Sequence, residues 1–346
     1  MQNLQRFSTA QRRLVFILIF GGLLMGLILT TLLLAGQALN SGPRVISTSL
    51  VPDVTVREFA SLPDNDAYPA AVTSAPDGTI YTGSFATGAV WAIDPSGNVR
   101  ELPNTRDSIG AVMGLAVAPD GAILVIDQND TDPRSAGGLI QRIAPDGTVS
   151  VYVDNDPSFV APNDIVFDSS GAFYVSDPGR NEVWRFIEDE NGTPQGEVWW
   201  VPPIEGTGIR NAVTGLAYDP VNDAIIVTDP ETNKIYRIMI ADGSSETIYR
   251  HGERSDPPGF DGATVAPDGT LYVAALGQNG IAIVDNGDLD YIAGLFRGAS
   301  DVEYAAPNRL YVTNFDQSSL IIPLLQPQLP FTIDVIELSV TPSPDS

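Results

Sequence analysis

Four positions in this chain bear the side chains best suited to chemistry: Asn163, Thr214, Asp261 and Ser300. Each opens a short apolar run, and each falls ten residues before a matched apolar residue, with Thr214 counted across a one-residue insertion. An amide, two hydroxyls and a carboxylate are hard oxygen donors. Calcium collects about 6–8 such oxygens, so the four could supply part of a divalent-cation site. The plain alternative is a polar channel filled by water, each head satisfying nearby backbone groups. The equivalent positions Ala70 and Met113 offer no ligand. Asp164 and Asp301 come next in sequence, and strand alternation is expected to turn them away from the common axis. His251 is the only histidine, on the stretch leading to Asp261. It could exchange protons near neutral pH, or simply be a solvated loop residue. Arg210 could hold an anionic or carbonyl-bearing ligand.

These heads belong to a repeat. Ala70–Tyr81, Met113–Leu124, Asn163–Tyr174, the stretch from Thr214, Asp261–Tyr272 and Ser300–Tyr311 share one grammar. Each has a polar or small head, an apolar strand, a turn (often Pro-Asp-Gly) and a second apolar strand. A second hairpin follows, as in Val90–Ile93 with Pro95-Ser96-Gly97, so one period holds two hairpins. The heads recur every 39 to 51 residues, the period of a four-stranded propeller blade. The fold predicted is therefore all-β, a six-bladed β-propeller over residues 53–338. Its inner strands bring equivalent heads into a ring around the axis. Val54–Phe59 lacks inner strands of its own and is assigned to the sixth blade, with Phe331–Leu338 as rival or added fifth strand. The acidic exits Asp127, Asp177 and Asp229, and Asn314 beside them, recur in four blades, which points to a repeated turn bond and not to chemistry.

Composition narrows the functions. With no cysteine there is no disulfide, thiolate metal site or thiol nucleophile, and a single histidine excludes multi-histidine zinc sites. The net charge of −25 repels nucleic acid, so no nucleic-acid partner is expected.

Residues 1–13 carry Arg6, Arg12 and Arg13 ahead of a charge-free apolar run. Leu14–Leu34 as a helix would span roughly 30 Å, the thickness of a bilayer's hydrocarbon core. The expectation is a transmembrane signal anchor over 14–36, with 1–13 cytoplasmic and the propeller extracytoplasmic at the cell membrane. A cleaved signal peptide ending near Gly36-Gln37-Ala38 is the competing reading. Residues 37–52 read as a linker and 339–346 as a disordered tail.

The run Asn163-Asp164-Ile165-Val166-Phe167-Asp168-Ser169-Ser170-Gly171, with Asp177-Pro178, resembles a blade of the gluconolactonase, regucalcin and luciferin-regenerating enzyme family. Phe260-Asp261-Gly262 followed by Ala266-Pro267-Asp268-Gly269 is similar to another of that family's blade heads. The resemblance spans about residues 54–325 and shades into NHL and strictosidine-synthase-like propellers. It implies six blades, an axial divalent metal (Ca2+ favoured over Zn2+) and hydrolysis of lactones or related esters. By position it makes Asp261 catalytic base and metal ligand and Asn163 a contact to substrate or metal; Thr214 and Ser300 remain ligand candidates from the spacing of the heads. Arg210 and His251 are candidate substrate contacts. The family's acidic ligand of the first blade falls at or beside Ala70, and its blade-four asparagine at Thr214. Two functions stand: a membrane-anchored hydrolase of small molecules, or a non-catalytic propeller binding a ligand or protein with a degenerate metal site.

Overall fold

The computed structural model describes residues 9–128, 137–154, 159–204, 211–252 and 255–339; for 9–20, 22 and 23 it describes the backbone alone. The chain divides into two compact units. One holds residues up to Arg44 together with Gln317–Pro327, and the other holds Val45–Asp316 and Gln328 onward.

The larger unit contains six antiparallel sheets, each with four strands in meander order, one of them extended by a fifth strand. This is the six-bladed propeller the repeat predicts. The Pro-Asp-Gly turns form as their chemistry requires. At Ala75–Thr79, Gly78 takes φ 86°, its N–H reaches the Ala75 carbonyl, and the Asp77 carboxylate accepts the Thr79 N–H at 2.9 Å. A side chain at that φ would be strained, which is why glycine ends the motif. The second strands Ile123–Asp127, Phe173–Asp177 and Ala224–Asp229 are buried throughout. Both faces of a blade pack on neighbours, so these strands read as unbroken apolar runs without alternation. Between blades 2 and 3, for instance, Leu124, Ile126, Phe173 and Phe186 share one cluster.

Both candidates for closing the ring take part. Thr332–Leu338 is the third strand of blade 6, between Arg309–Thr313 and Val54–Ser61, and Val54–Ser61 is the outermost. The two are complementary, since a strand from each end is needed to complete four. Within the expected linker, Thr48–Ser49 pairs with Asp288–Gly294 as the extra strand of blade 5.

The four acidic or amide exits bind backbone as the repetition suggests. Asp127 accepts the N–H groups of Gly110 and Ala111, Asp177 those of Val160, Ala161 and Arg180, and Asp229 those of Ala212, Glu231 and Thr232. Asn314 accepts from Arg297. Each fastens the connection entering its own blade. Asp177 is wholly buried, so Asp177→Ala would leave the Val160 and Ala161 N–H groups unpaired, while the Arg180 N–H keeps its bond to the main-chain carbonyl of residue 177. At about 1–3 kcal/mol per orphaned group, we expect a loss of about 2 kcal/mol or more by urea titration, with unchanged β-sheet circular dichroism.

In the smaller unit the apolar N-terminal stretch forms a 31-residue helix, Thr9–Leu39. Among the described residues no helix is long and apolar enough to cross a membrane, so the expected span over 14–36 is not borne out. The expected tail from residue 340 on lies outside the described residues.

Candidate active site on the propeller axis

The heads converge on the axis. Ala70, Met113, Asn163, Asp261 and Ser300 line one small void there, together with Asp164 and Asp301, and its volume of ≈ 10 Å³ suits a single water. Beyond it the channel widens to ≈ 280 Å³, lined by the inner strands and by Asp164, Asp301 and Glu303. The waist between the two spaces is thus made of Asp164 and Asp301.

Those two aspartates are not turned away from the axis. The alternation argument fails because the ladder does not run through the heads. Pairing slips between Pro69 and Val72, between Val112 and Leu115 and between Phe260 and Ala263. In blades 3, 4 and 6 the inner strand begins only at Ile165, Leu216 and Val302. A slip or late start resets which face a side chain takes. Asp164 is thereby free to accept the N–H groups of Ile165 and of Leu216 in the next blade, both at 2.7 Å. Asp301 does the same with Val302 and with Val72 of blade 1, both at 2.8 Å. The matching residues elsewhere are Ala71, Gly114, Gly215 and Gly262. At Gly215 a Cβ would lie 2.0 Å from the Asp261 carbonyl oxygen, so a side chain is excluded by the adjoining blade. Glu303 accepts from the Ser74 N–H and hydroxyl at 3.1 and 2.7 Å. Alternation misplaces Asp164 and Asp301, and Glu303 is not among the residues the sequence singles out, yet a signal was present: Asp stands at the second head position in blades 3 and 6 alone, and Glu303 is the sole acid in its own ring.

The hydroxyl heads are occupied in building the ring. Ser300 donates to the Ala70 carbonyl at 2.7 Å and shares a bond with Thr313, while Thr214 pairs with Thr228 at 3.1 Å. Buried hydroxyls of the second strands continue the pattern, with Thr228 reaching the Asp261 carbonyl at 2.6 Å and Ser176 the Thr214 carbonyl. The Asp261 carboxyl differs from the other axial acids. Among the described residues none donates a hydrogen bond to it. Burial, followed by the neighbouring Asp164 charge, pushes it up to about 8. Burial also raises Asp164, against the pull of the Leu216 and Ile165 N–H groups. Asp301 is raised well above its usual range by burial and then by Asp164. Glu303 is pushed up to about 7 by burial, with its Ser74 bonds opposing.

His251 stays within its own loop, with Nδ1 3.3 Å from the Tyr249 hydroxyl and Nε2 3.2 Å from the Ser255 carbonyl. It lines neither axial space. Arg210 lies outside the described residues.

Sequence comparison bears directly on this site. Residues 103–314 match the model of the SMP-30/Gluconolactonase/LRE-like region family. The chain belongs to that family. "Lactonase drp35" of Staphylococcus aureus (strain MW2) is 21% identical over 271 residues, covering 74% of this chain and 78% of the relative. Among solved structures, the Xanthomonas campestris gluconolactonase XC5397 superposes with a TM-score of 0.59 at 16% identity, over 86% of this chain and 96% of that one. The PQQ-bound aldose sugar dehydrogenase of Streptomyces coelicolor gives 0.57 at 15%, over 83% and 99%. At these identities the superpositions establish the propeller, and they come from proteins of different chemistry. The reaction must therefore be argued from the axial residues.

The axial donors do not fit a tightly held divalent ion. Asp261 is the only carboxylate among the six heads, and Ala70 contributes nothing where the family resemblance calls for an acid. Each oxygen of Asp164 and Asp301 already accepts one backbone N–H, which fixes both carboxyls against the ring wall and leaves each oxygen a single further lone pair. Among the described residues no group of three or more acidic or histidine side chains is placed to hold a metal. Calorimetry with calcium or zinc is expected to give no saturable binding below about 1 mM, the weak end of protein calcium sites. A tighter isotherm that Asp261→Ala abolishes would restore the metal.

Proposed function

We propose that this chain hydrolyses lactones or related small esters at the head side of its axis, with Asp261 and Asp164 as the acid–base pair. The observation that carries the reading is the pairing of an unbonded carboxyl (Asp261), whose proton affinity burial raises, with a backbone-anchored one (Asp164) on a void sized for one water. Membership of the gluconolactonase-type family, and the lactonase named among its relatives, support the substrate class.

Paired carboxyls in different surroundings divide acid from base. Asp164, the less strongly raised, accepts a proton from the attacking water. Asp261, protonated at neutral pH, delivers its proton to the ring oxygen as the acyl–oxygen bond breaks. One water and one lactone give one hydroxy acid, and proton exchange with solvent resets the pair. The role of Asp261 thus becomes acid, in place of the base the family resemblance implies. Its raised affinity for a proton is the physical reason. The Asn163 amide, on the same void, orients the lactone carbonyl. Arg210 is assigned to the outer part of the substrate on its sequence position alone, and His251, which lines neither axial space, is left out of the mechanism.

The test is a panel of five- and six-membered lactones assayed with the full chain by pH-stat. Turnover of at least one member with an alkaline limb near pH 8 supports the reading, and inactivity toward all of them retires it. A second reading, ligand binding without turnover, draws on Ala70 and Met113, which leave two of six heads without a reactive group. Saturable ligand binding with no product would favour it. The extracytoplasmic, membrane-held location rests on the sequence alone, on the arginines before the charge-free run. Carbonate extraction of cell membranes tests it.

A further inference from the structure

The smaller unit carries an unusual surface. Leu24, Met25, Leu27, Ile28, Leu29, Leu32, Leu33 and Leu34 are all exposed, and at 100° per residue they surround the helix. A single protein groove covers one side of a helix, whereas a helix that is apolar all round needs an apolar surrounding. The second member of the unit is an insertion in blade 6, between its second and third strands. From Gln317 to Pro327 it holds no charged residue, in a chain of net charge −25. Its Leu320, Ile321, Ile322 and Leu324 are exposed, Ile321 by 66%.

The two pieces are fastened at one level. Asn40, just past the helix end, donates from Nδ2 to the Gly36 carbonyl at 2.7 Å and to the Leu324 carbonyl at 2.8 Å. Its Oδ1 accepts the Gln326 N–H at 2.7 Å. One amide thus satisfies a carbonyl of the last helical turn and clamps the insertion beside it. Polar residues Gln37, Asn40 and Ser41 gather at this end, while the apolar side chains continue away from it. A polar collar below an apolar shaft is the layout of a lipid–water boundary, where headgroups meet acyl chains.

We propose that residues 320–324 form a lipid-contacting patch that seats at the bilayer surface beside the helix. The occupant is lipid because the exposed surface is uncharged and surrounds the helix. A membrane offers such a medium, and a second copy of the chain offers only one flank. The absence of lysine and arginine from the patch means that binding depends on buried apolar area and not on anionic lipid. This inference is independent of the hydrolase reading and survives its failure.

The chain has no cysteine, so single labels are clean. Ile321→Cys and Ile322→Cys, each carrying an environment-sensitive nitrobenzoxadiazole group, are added as full-length chain to phosphatidylcholine vesicles. Val221→Cys, at an exposed position on blade 4, is the control. Emission of the 321 and 322 labels is expected to shift to the blue, with quenching by headgroup-proximal spin-labelled lipid at least threefold above the control. Quenching equal to the control overturns the proposal. So does concentration-dependent self-quenching without lipid quenching, which would assign the patch to a second copy. Having two labelled positions guards against one that disturbs the clamp, and circular dichroism confirms the propeller in each.

Discussion

Asp261→Asn is expected to lower kcat by about 10²–10⁴-fold on whichever lactone turns over, the usual contribution of a positioned general acid or base. The asparagine keeps the shape and hydrogen-bonding capacity of a protonated carboxyl, so the void and the ring around it persist. What it removes is the transferable proton. KM should change much less than kcat, because the side chain faces the water-sized void and not the bulk of the substrate. The alkaline limb near pH 8 should go with it, since that limb belongs to the Asp261 carboxyl. Loss of kcat with the limb retained would assign the proton to another group. Unchanged turnover would take Asp261 out of the mechanism.

Thermal stability should fall as pH rises from about 5 to about 8, by more than about 4 °C in Tm on the usual size scaling. The sign follows from linkage. Asp261 and Glu303 hold their protons in the folded protein up to about 8 and about 7, and burial raises Asp164 and Asp301 in the same direction. Unfolded, all four ionise near the ordinary carboxylate range, so across this window the folded state binds more protons and alkali favours unfolding. Acids whose affinity is lowered by turn bonds, such as Asp77, Asp146 and Asp268, contribute in the opposite sense. They titrate below the window, so stability should also decline under strong acid and peak near pH 5. Scanning calorimetry across pH 4–9 measures the curve. Asp261→Asn should flatten its alkaline side, and a Tm constant from pH 5 to 8 would mean that the axial acids are already ionised.

Much of this was legible in the residues. A blade is a local object: its strands are neighbours in sequence, and its turns are set by Pro, Asp and Gly within four residues. Head spacing, turn chemistry and exit acids such as Asp177 therefore read correctly one blade at a time. The roles of Asp164 and Asp301 did not, because each bonds the backbone of the next blade. Asp301 reaches Val72, across the seam where the ring closes. The alternation rule that hid them assumes an unbroken ladder, and the ladder breaks or starts late at the heads. The use of Thr332–Leu338 and Val54–Ser61 together was likewise a question of closure, which no single repeat contains.

The six-bladed propeller, its family, and the convergence of Asn163, Asp261 and Ser300 on one axis follow from the repeat, because repetition along the chain becomes rotation in space. Which oxygens remain free there follows from how the blades meet. Ser300 and Thr214 turned out to be fasteners, Asp164 and Asp301 to be anchored walls, and Asp261 to stand unbonded beside Asp164. That distinction depends on distances between blades, which no residue pattern within one blade encodes.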